Sequence, residues 1–391
     1  MRFKTILFLS FLLSGCSTHK IPAEIQNDLD SLVFRWVPDN REGVCQYTLS
    51  RLSGNSVVLK GETSIPEAKD EIIALLSDKG FEVTDSLKTL PDESVEKNWG
   101  LVTVSVCNIR SKPSFSGEQV SQALMGTPVK ILKISNGWLM IQTPDHYLGW
   151  TNDSGITEMI EDEILAWRQS KRIIYTCKSG DIVSETDRYD IVSDIIAGAI
   201  LERVSENRDY FIVELPDGRR GMIERNMAAD FDDWCSSSTP DPERLIQFAK
   251  SLKGSPYMWG GTSTKAIDCS GFVKTIFFTG GIILARDASQ QFLYGEPVDL
   301  SSPASLKPGD LIFFGHLNEN GSKRITHVGM YIGDTEVIHS SGMVRVNSLD
   351  STRANFNGYL LKTMMGARRI TGEESRKGIE SVALHNWYVN K

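Results

Sequence analysis

Two short runs of sequence decide the fold of this chain: Tyr-Met-Trp-Gly-Gly at residues 257–261 and Asp-Cys-Ser-Gly-Phe at residues 268–272. Apolar residues recur at helical spacing after Cys269, which predicts a helix with one buried face. Asp268 is a candidate N-cap, because its carboxylate can accept from first-turn amides. Cys269 then lies at the positive end of the helix dipole, where a nucleophilic thiolate is favoured. A small cysteine buried in a core gives the same pattern.

Two histidines are candidates for the base that such a thiol requires. His327 begins the alternating strand His-Val-Gly-Met-Tyr-Ile-Gly, and His339 ends Glu-Val-Ile-His. The turn glycine Gly333 lies midway between them, which predicts a hairpin with the histidines as cross-strand neighbours about 5 Å apart at Cβ. We expect His327 to be the base and His339 to orient its ring.

These motifs, in this order, resemble the NlpC-type cell-wall cysteine peptidases, a papain-like family. The lead-in Pro-Tyr-Met-Trp-Gly-Gly at residues 256–261 and the run Leu-Lys-Pro-Gly-Asp-Leu-Ile-Phe-Phe at residues 306–314 match that family too. The resemblance covers about residues 240–370. It implies an α+β papain-like peptidase domain in which Cys269, His327 and His339 are catalytic.

Composition limits the classes of function. The 391 residues carry a formal net charge of −8 and are 40% hydrophobic, which predicts two to four globular domains and disfavours nucleic acid as a partner. The chain has no Cys-x-x-Cys pair, so we expect no structural zinc, and no cofactor is implied. Pairing stays open for four of the cysteines, which are Cys45, Cys107, Cys177 and Cys235.

Residues 1–16 are predicted to be a lipoprotein signal. A basic start precedes an apolar run at residues 6–13 that is too short to span a bilayer. Leu-Ser-Gly-Cys at residues 13–16 resembles the bacterial lipoprotein cleavage box, which implies lipidation of Cys16. Ser17 implies, by the same resemblance, sorting to the outer membrane of a Gram-negative envelope, facing the periplasm. A plain secretory signal is the alternative.

The remaining chain predicts a multidomain fold. Residues 27–95 form a small α+β unit of unknown role, with helices at 28–36 and 68–79 and strands at 46–52, 56–61 and 81–84. Residues 99–160 and 170–232 repeat at an offset of 72, which aligns Trp138 with Tyr210 and Gly149 with Gly221. Short alternating strands predict two small β-barrels there, which resemble bacterial Src-homology-type barrels. The C-terminal α+β peptidase domain spans 240–370. A tail at 371–391 ends in aromatic residues that either pack on a domain or stay loose.

The barrel-plus-peptidase arrangement resembles enzymes that release dipeptides from muropeptides. Those enzymes cut between γ-D-glutamate and a diamino acid and require a free L-alanine amine. The Cys269 amide is a candidate donor to the oxyanion, and the Tyr257 hydroxyl, in a position like that of the family, is a second. Trp259 is a candidate contact for the alanine methyl, and acids are expected to bind the ammonium. The substrate-binding candidates are Tyr257, Trp259, Asp268, Ser270, Ser289, Glu118 and Tyr147. Capping alone also explains Asp268, Asp145 competes with Glu118, and Glu118 and Tyr147 fit ordinary surface positions as well.

The sequence therefore predicts a cysteine peptidase that hydrolyses the γ-D-glutamyl–diamino acid bond of stem peptides bearing a free L-alanine amine. Its expected partners are peptidoglycan-derived peptides and, through the lipid, a membrane. One alternative is a non-catalytic peptidoglycan-binding lipoprotein. Another is a murein endopeptidase or amidase without the free-amine requirement. Lysine or diaminopimelate at the third stem position stays open.

Overall fold

A computed structural model describes residues 21–52, 54–370 and 377–390. The chain divides into two compact units. The smaller contains the chain up to Asn40 and Val44–Leu90, and the larger contains Arg41–Gly43 and the chain from Pro91 onward. Among the described residues, no helix is both long enough and apolar enough to cross a bilayer. The predicted lipidation site, Cys16, lies outside the described residues.

The smaller unit is the α+β fold that the sequence predicts. Its elements are α1 (Ala23–Trp36), β1 (Cys45–Arg51), β2 (Ser56–Thr63), α2 (Pro66–Asp78) and β3 (Glu82–Thr89). The predicted hairpin is confirmed, since β1 and β2 pair antiparallel across a turn in which Gly54 has a φ of 56°. β3 pairs parallel to β2 and continues to Thr89, further than predicted. The helix α2 supplies the crossover that a parallel pair requires.

Two small barrels follow in the larger unit. The strands of the first barrel are β4 (Trp99–Val102), β5 (Val106–Arg110), β6 (Gln119–Leu124), β7 (Pro128–Ser135), β8 (Trp138–Gln142), β9 (Leu148–Asn152) and β10 (Ile156–Met159), and the helix α3 (Glu161–Gln169) comes next. Those of the second barrel are β11 (Arg172–Tyr175), β12 (Ser179–Val183), β13 (Ile191–Ile196), β14 (Ile200–Glu206), β15 (Tyr210–Glu214), β16 (Arg220–Glu224) and β17 (Ala228–Asp230), and α4 (Phe231–Ser237) comes next.

The predicted repeat is confirmed in the strands themselves. An offset of 72 residues places β6 on β13, β8 on β15 and β9 on β16, residue for residue. Both sheets also have one order, β10-β4-β7-β8-β9-β5-β6 in the first and β17-β11-β14-β15-β16-β12-β13 in the second. The repeated glycines have a packing reason. A Cβ on Gly149 would collide with the Ile109 side chain, and one on Gly221 would lie 2.6 Å from Cγ2 of Ile182.

The C-terminal domain packs a helix against an antiparallel sheet. Its elements are α5 (Pro242–Ser251), β18 (Thr262–Ser263), β19 (Ala266–Ile267), α6 (Cys269–Thr279), β20 (Ile282–Leu284), α7 (Ala288–Gln291), β21 (Glu296–Val298), β22 (Leu311–Leu317), β23 (Lys323–Gly333), β24 (Glu336–Ser341), β25 (Met343–Ser348), α8 (Gly358–Thr363), β26 (Met364–Arg369) and β27 (Ile379–Ser381). The main sheet has the order β21-β26-β22-β23-β24-β25. The predicted buried face of α6 is confirmed, since Phe272, Val273 and Ile276 have no exposed surface.

The described part of the tail packs on the larger unit. β27 pairs antiparallel with β20, and Trp387 and Tyr388 are buried. The Trp387 ring meets that of Trp99 edge-on, with 5.1 Å between centroids. Arg172 donates from Nη1 to the Tyr388 carbonyl over 2.8 Å. Of the two possibilities that the sequence left open, the tail therefore takes the packed one. The cysteines in the described residues all have free thiols.

Replacing Trp387 with alanine tests the contribution of the tail to stability. Truncating a buried tryptophan costs about 3–5 kcal/mol, because it removes apolar contacts and leaves a cavity. We expect Trp387→Ala to lower the midpoint of urea unfolding, followed by circular dichroism. Leu384→Ala is the matched control, since Leu384 is 45% exposed and should change stability by less than about 0.5 kcal/mol. Equal midpoints for both variants would contradict a structural role of the tail.

Candidate active site

The nucleophile candidate Cys269 is the first residue of α6. The predicted cap is confirmed, since Asp268 Oδ1 accepts from the Gly271 amide over 2.7 Å. The glycines of the quoted stretch allow the loop to reach the helix. The Gly261 carbonyl accepts from the Asp268 amide, and a Cβ on Gly271 would collide with that carbonyl. Glycine is therefore required there for the cysteine to lie at the base of the lead-in loop.

Asp268 has a second partner that the sequence did not reveal. The guanidinium of Arg286, 1% exposed, donates to Oδ2 over 2.6 Å and to Oδ1 over 3.3 Å. Oδ2 also accepts from the Gly260 amide over 3.0 Å. Both carboxylate oxygens are thus engaged in buried contacts, which supports the capping role, while Asp268 also lines the cleft and its ammonium-binding role stays a prediction. Arg286 also donates to the hydroxyl of Ser270 over 3.0 Å, which holds that side chain.

The Cys269 thiol is neutral in the resting site. Burial, and then the charge of Asp268, raise its pKa to about 11, while the backbone N–H groups of Val328 and Ser270 oppose the shift. The sequence predicted a thiolate stabilised by the helix end. Burial acts against that anion, because removing the sulfur from water disfavours its charged form.

His327 and His339 are in contact, but in a different register from the predicted one. Met330 pairs with Ile338, and the two-residue turn is Asp334-Thr335, with φ values of 50° and 64°. One step along this register places Gly329, not His327, opposite His339. The two histidines are diagonal neighbours, with 2.8 Å between His327 Nε2 and His339 Nδ1. Gly329 leaves room for this contact, since a Cβ there would lie 3.0 Å from the His339 Cβ.

Asn347, which sequence reasoning missed, completes a directed chain of hydrogen bonds. Its Nδ2 donates to the Asn355 carbonyl over 3.1 Å, so its Oδ1 faces His339 Nε2 at 3.0 Å. An amide oxygen only accepts, so His339 carries its proton on Nε2 and accepts at Nδ1. His327 then donates from Nε2 and keeps Nδ1 as a free base. Burial, and then the neighbouring His339, lower the pKa of His327 to about 3, so the ring is neutral.

A cleft of about 480 Å³ contains Cys269 and is walled in part by the first barrel. The lining residues include all the sequence-predicted substrate-binding residues, Tyr257, Trp259, Asp268, Ser270, Ser289, Glu118 and Tyr147. Trp259 donates from its indole nitrogen to Glu118 Oε1 over 2.8 Å, which joins the lead-in loop to the barrel. Asp145, the competing acid, is buried outside this cleft and pairs with Lys274 Nζ at 3.1 Å.

Asp287 is the acid that the sequence interpretation passed over. Tyr147 donates its hydroxyl to Asp287 Oδ2 over 3.1 Å, and both line the cleft. Burial, and then the charge of Asp287, raise the pKa of Tyr147, so its hydroxyl stays protonated. The signal was present in the run Arg-Asp-Ala-Ser at residues 286–289, of which only Ser289 was selected. Glu118, Tyr147 and Asp287 all line the cleft, and we call these three residues the acidic wall below.

The Tyr257 hydroxyl is a protonated donor in the same cleft. Burial, and then the charges of Cys269 and Asp268, raise its pKa to about 12. The Tyr257 amide donates to the Gly342 carbonyl over 3.0 Å, which ties the lead-in loop to the turn after β24. The cleft therefore holds a thiol and a neutral phenol, and its lining extends to Thr326, the neighbour of the base His327. A thiol, a base and a neutral donor are the groups that acyl transfer requires.

Asn347 tests the directed chain. Asn347→Ala leaves the His339 Nε2 proton without its acceptor, so His327 no longer has a fixed tautomer. We expect kcat to fall at least about tenfold, since an unpaired buried polar group costs about 1–3 kcal/mol. Asn347→Asp keeps the acceptor and adds a negative charge, which favours imidazolium. The acid limb of kcat/KM, below pH 6.5 in the unmodified protein, should therefore move to higher pH.

The control for these variants is Asn320→Ala, in the exposed turn between β22 and β23, which should leave kcat and the pH profile unchanged. An Asn347→Ala variant with unchanged kcat and an unchanged acid limb would exclude the chain as the element that sets the tautomer.

Comparison with known proteins assigns the family. The model of the NlpC/P60 family matches residues 254–369, and that of the bacterial dipeptidyl-peptidase Sh3 domain matches residues 109–156. The gamma-D-glutamyl-L-lysine dipeptidyl-peptidase of Bacillus cereus is 30% identical over 64% of this chain and 74% of its own length. Dipeptidyl-peptidase 6 of Lysinibacillus sphaericus is 26% identical over 68% of this chain and 96% of its own.

Solved structures agree. An NlpC/P60 family protein from Bacillus cereus superposes with a TM-score of 0.60 at 25% identity, covering 69% of this chain and 99% of that one. An NlpC/P60 endopeptidase from Photobacterium damselae shares the fold, with a TM-score of 0.54 at 20% identity over 71% of this chain and 72% of that one. Together with a cleft that holds a thiol, and with a directed histidine pair, these similarities place the chain in the NlpC/P60 family of cysteine peptidases.

Proposed function

We propose that this protein hydrolyses the γ-D-glutamyl–diamino acid bond of peptidoglycan stem peptides that carry a free N-terminal L-alanine, and so releases L-Ala-D-Glu. The observation that carries the proposal is the acidic wall, Glu118, Tyr147 and Asp287, in the cleft that contains Cys269. Carboxylates beside a phenol are a site for an ammonium group. The names of the two dipeptidyl-peptidase relatives support the same reaction.

The proposed reaction starts from a neutral Cys269 thiol and a neutral His327 imidazole. His327 Nδ1 takes the thiol proton as the Cys269 sulfur attacks the γ-carbonyl carbon, and a C–S bond forms. The Cys269 amide and the Tyr257 hydroxyl donate to the oxyanion. The C–N bond then breaks as His327 returns the proton to the leaving amine. Water attacks the thioester with His327 as base, which releases the dipeptide and restores the thiol.

The first barrel supports the limit to short N-terminal segments. Gln122 accepts at Oε1 from the Thr262 amide over 3.0 Å, and its carbonyl accepts the Thr262 hydroxyl over 2.9 Å. Ser121 accepts from Arg286 Nε over 3.1 Å. A Cβ on Gly260 would collide with the Gln119 carbonyl. We infer that a barrel fixed this closely against the lead-in loop limits the cleft on that side, so that the alanine amine would face the acidic wall.

Two other functions are weaker on the same observations. A non-catalytic peptidoglycan-binding protein has no use for the directed chain from Asn347 through His339 to His327. A murein endopeptidase or amidase without an amine requirement has no use for the two acids, Glu118 and Asp287, that line the cleft. Lysine and diaminopimelate at the third stem position are both compatible with the acidic wall, which concerns the other end of the substrate.

Blocking the substrate amine tests the proposal. With L-Ala-γ-D-Glu-diaminopimelate we expect mass spectrometry to detect L-Ala-D-Glu, and acetylation of the alanine nitrogen to lower kcat/KM at least about 100-fold. Acetylation removes the positive charge that the carboxylates of the wall would attract, and it adds bulk at the nitrogen. Cys269→Ala is the inactive control.

The outcomes separate the alternatives. Equal rates on blocked and free peptide would favour the endopeptidase without an amine requirement. A folded, reduced protein that cleaves neither peptide would favour the binding protein.

We further propose that the mature protein is anchored by lipid at Cys16 and faces the periplasm from the outer membrane. The support is the sequence alone: the lipoprotein box at residues 13–16 and Ser17 after it. Anchoring would keep the enzyme close to peptides released from the wall.

Metabolic labelling in a Gram-negative host tests the anchor. We expect the full chain to incorporate an alkyne-tagged fatty acid and to fractionate with outer membrane. Cys16→Ser should incorporate none, because the acceptor thiol is absent. If the protein expressed from the full sequence is unlabelled and soluble in the periplasm, residues 1–16 are instead part of a plain secretory signal.

A further inference from the structure

The segment Arg41–Gly43 belongs to the larger unit, although it lies between α1 and β1 in sequence. Backbone contacts fix it to the first barrel: the Leu148 amide donates to the Arg41 carbonyl over 2.7 Å, and Gln142 Nε2 donates to the Glu42 carbonyl over 2.9 Å. The Glu42 side chain accepts from Gln290 Nε2 over 2.8 Å and pairs with Lys377 Nζ at 2.7 Å. The segment is therefore held in place by hydrogen bonds and an ion pair next to the cleft.

The Arg41 side chain lies at the acidic wall. Its Nη1 is 2.6 Å from Asp287 Oδ2 and 3.3 Å from Ser289 Oγ. Asp287 Oδ2 is the same oxygen that accepts from the Tyr147 hydroxyl. Arg41 also lines the cleft that contains Cys269, and its side chain is 37% exposed. A cation is thus held against Asp287, one of the acids to which the proposed function assigns the substrate ammonium.

The proposed substrate carries two charges at this end. Its alanine amine is positive, and its D-glutamate keeps a free α-carboxylate, because the chain continues through the γ-carboxyl. The carboxylates of the acidic wall attract the ammonium. They would repel the substrate carboxylate, however, unless a cation lies near it.

The other cations of the described cleft lining are less suited to that carboxylate. Arg286 is buried and holds Asp268. Arg324 lies on β23, three residues before His327, and so borders the histidine side of the cleft. A guanidinium has five N–H donors in a planar fork, so Arg41 can bridge Asp287 and a substrate carboxylate at once.

We propose that Arg41 is a specificity residue that binds the free α-carboxylate of the γ-D-glutamyl residue. The cleft would thereby select stems whose D-glutamate is not amidated. The inference rests on the proposed function, because it assigns a second contact to the same dipeptide.

The test compares two substrates, L-Ala-γ-D-Glu-diaminopimelate and its analogue with an α-carboxamide on the glutamate, in the full chain and in Arg41→Met. The unmodified protein should prefer the carboxylate at least about tenfold in kcat/KM. Arg41→Met should lose about 10–100-fold on the carboxylate, mainly through KM, because a charge-assisted hydrogen bond is lost. Its rate on the carboxamide should stay within about threefold, so the preference collapses.

Arg41→Lys keeps the positive charge but lacks the planar fork of donors. Its kcat/KM on the carboxylate substrate should lie between those of the unmodified protein and Arg41→Met. Arg208→Met, which removes an exposed arginine of the second barrel, is the matched control and should keep the full preference. Unchanged thermal unfolding of Arg41→Met shows that the fold is retained.

Several results would overturn the inference. Faster turnover of both substrates by Arg41→Met would mean that Arg41 occupies the ammonium site as an internal inhibitor. An equal loss on both would mean that Arg41 only positions Asp287. An unmodified protein without a preference would exclude carboxylate selection. If the unmodified protein cleaves neither substrate, the proposed function fails and the inference with it, whereas cleavage with an Arg41-independent preference refutes the inference alone.

Discussion

The buried ion pair between Arg286 and Asp268 is the interaction on which the site depends. Its carboxylate caps the catalytic helix and accepts from the Gly260 amide, while its guanidinium reaches Ser121 of the first barrel. The charges tolerate burial because their hydrogen bonds are satisfied on both sides. Removing one partner of such a pair generally costs about 3–5 kcal/mol, since a charge stays buried alone. This single ion pair therefore fixes the positions of the nucleophile, the lead-in loop and the first barrel relative to one another.

The proton arrangement follows from a neutral site. A low dielectric disfavours both thiolate and imidazolium, so the resting site stores neither charge. What the protein fixes instead is direction: Asn355 orients Asn347, Asn347 orients His339, and His339 leaves one nitrogen of His327 as a base. The charges then develop together as the sulfur attacks, where the oxyanion donors can stabilise them.

Local features were predictable from the sequence and distant ones were not. The helix after Cys269 follows from residues within one turn or two, and the duplicated barrels follow from one fixed offset. The histidine hairpin was placed near its true position, but its register was wrong, because the turn uses Asp334-Thr335 with positive φ instead of centring on Gly333. Periodicity identifies strands and does not fix their register to one residue.

The missed site residues share a physical cause. Asn347, Arg286 and Asp287 are ordinary polar residues whose roles exist only through partners distant in sequence. Asn347 is eight residues from His339 on the next strand, and Arg286 reaches across 165 residues to Ser121. No local pattern encodes such contacts, whereas a cysteine after a capping aspartate carries its chemistry in the pattern itself.

Chemistry and recognition are carried by different parts of the larger unit. The nucleophile and the histidine chain lie on α6, β23, β24 and β25, within the peptidase domain. The groups that face the proposed N-terminal dipeptide come from the first barrel, from the segment Arg41–Gly43 and from the start of α7. Changes at these positions can alter which peptide end fits while the thiol and its base stay in place. The contacts between barrel and lead-in loop, such as Gln122 with Thr262, therefore bear on specificity as well as on stability. A barrel that moved away would leave a competent nucleophile in a cleft open at both ends.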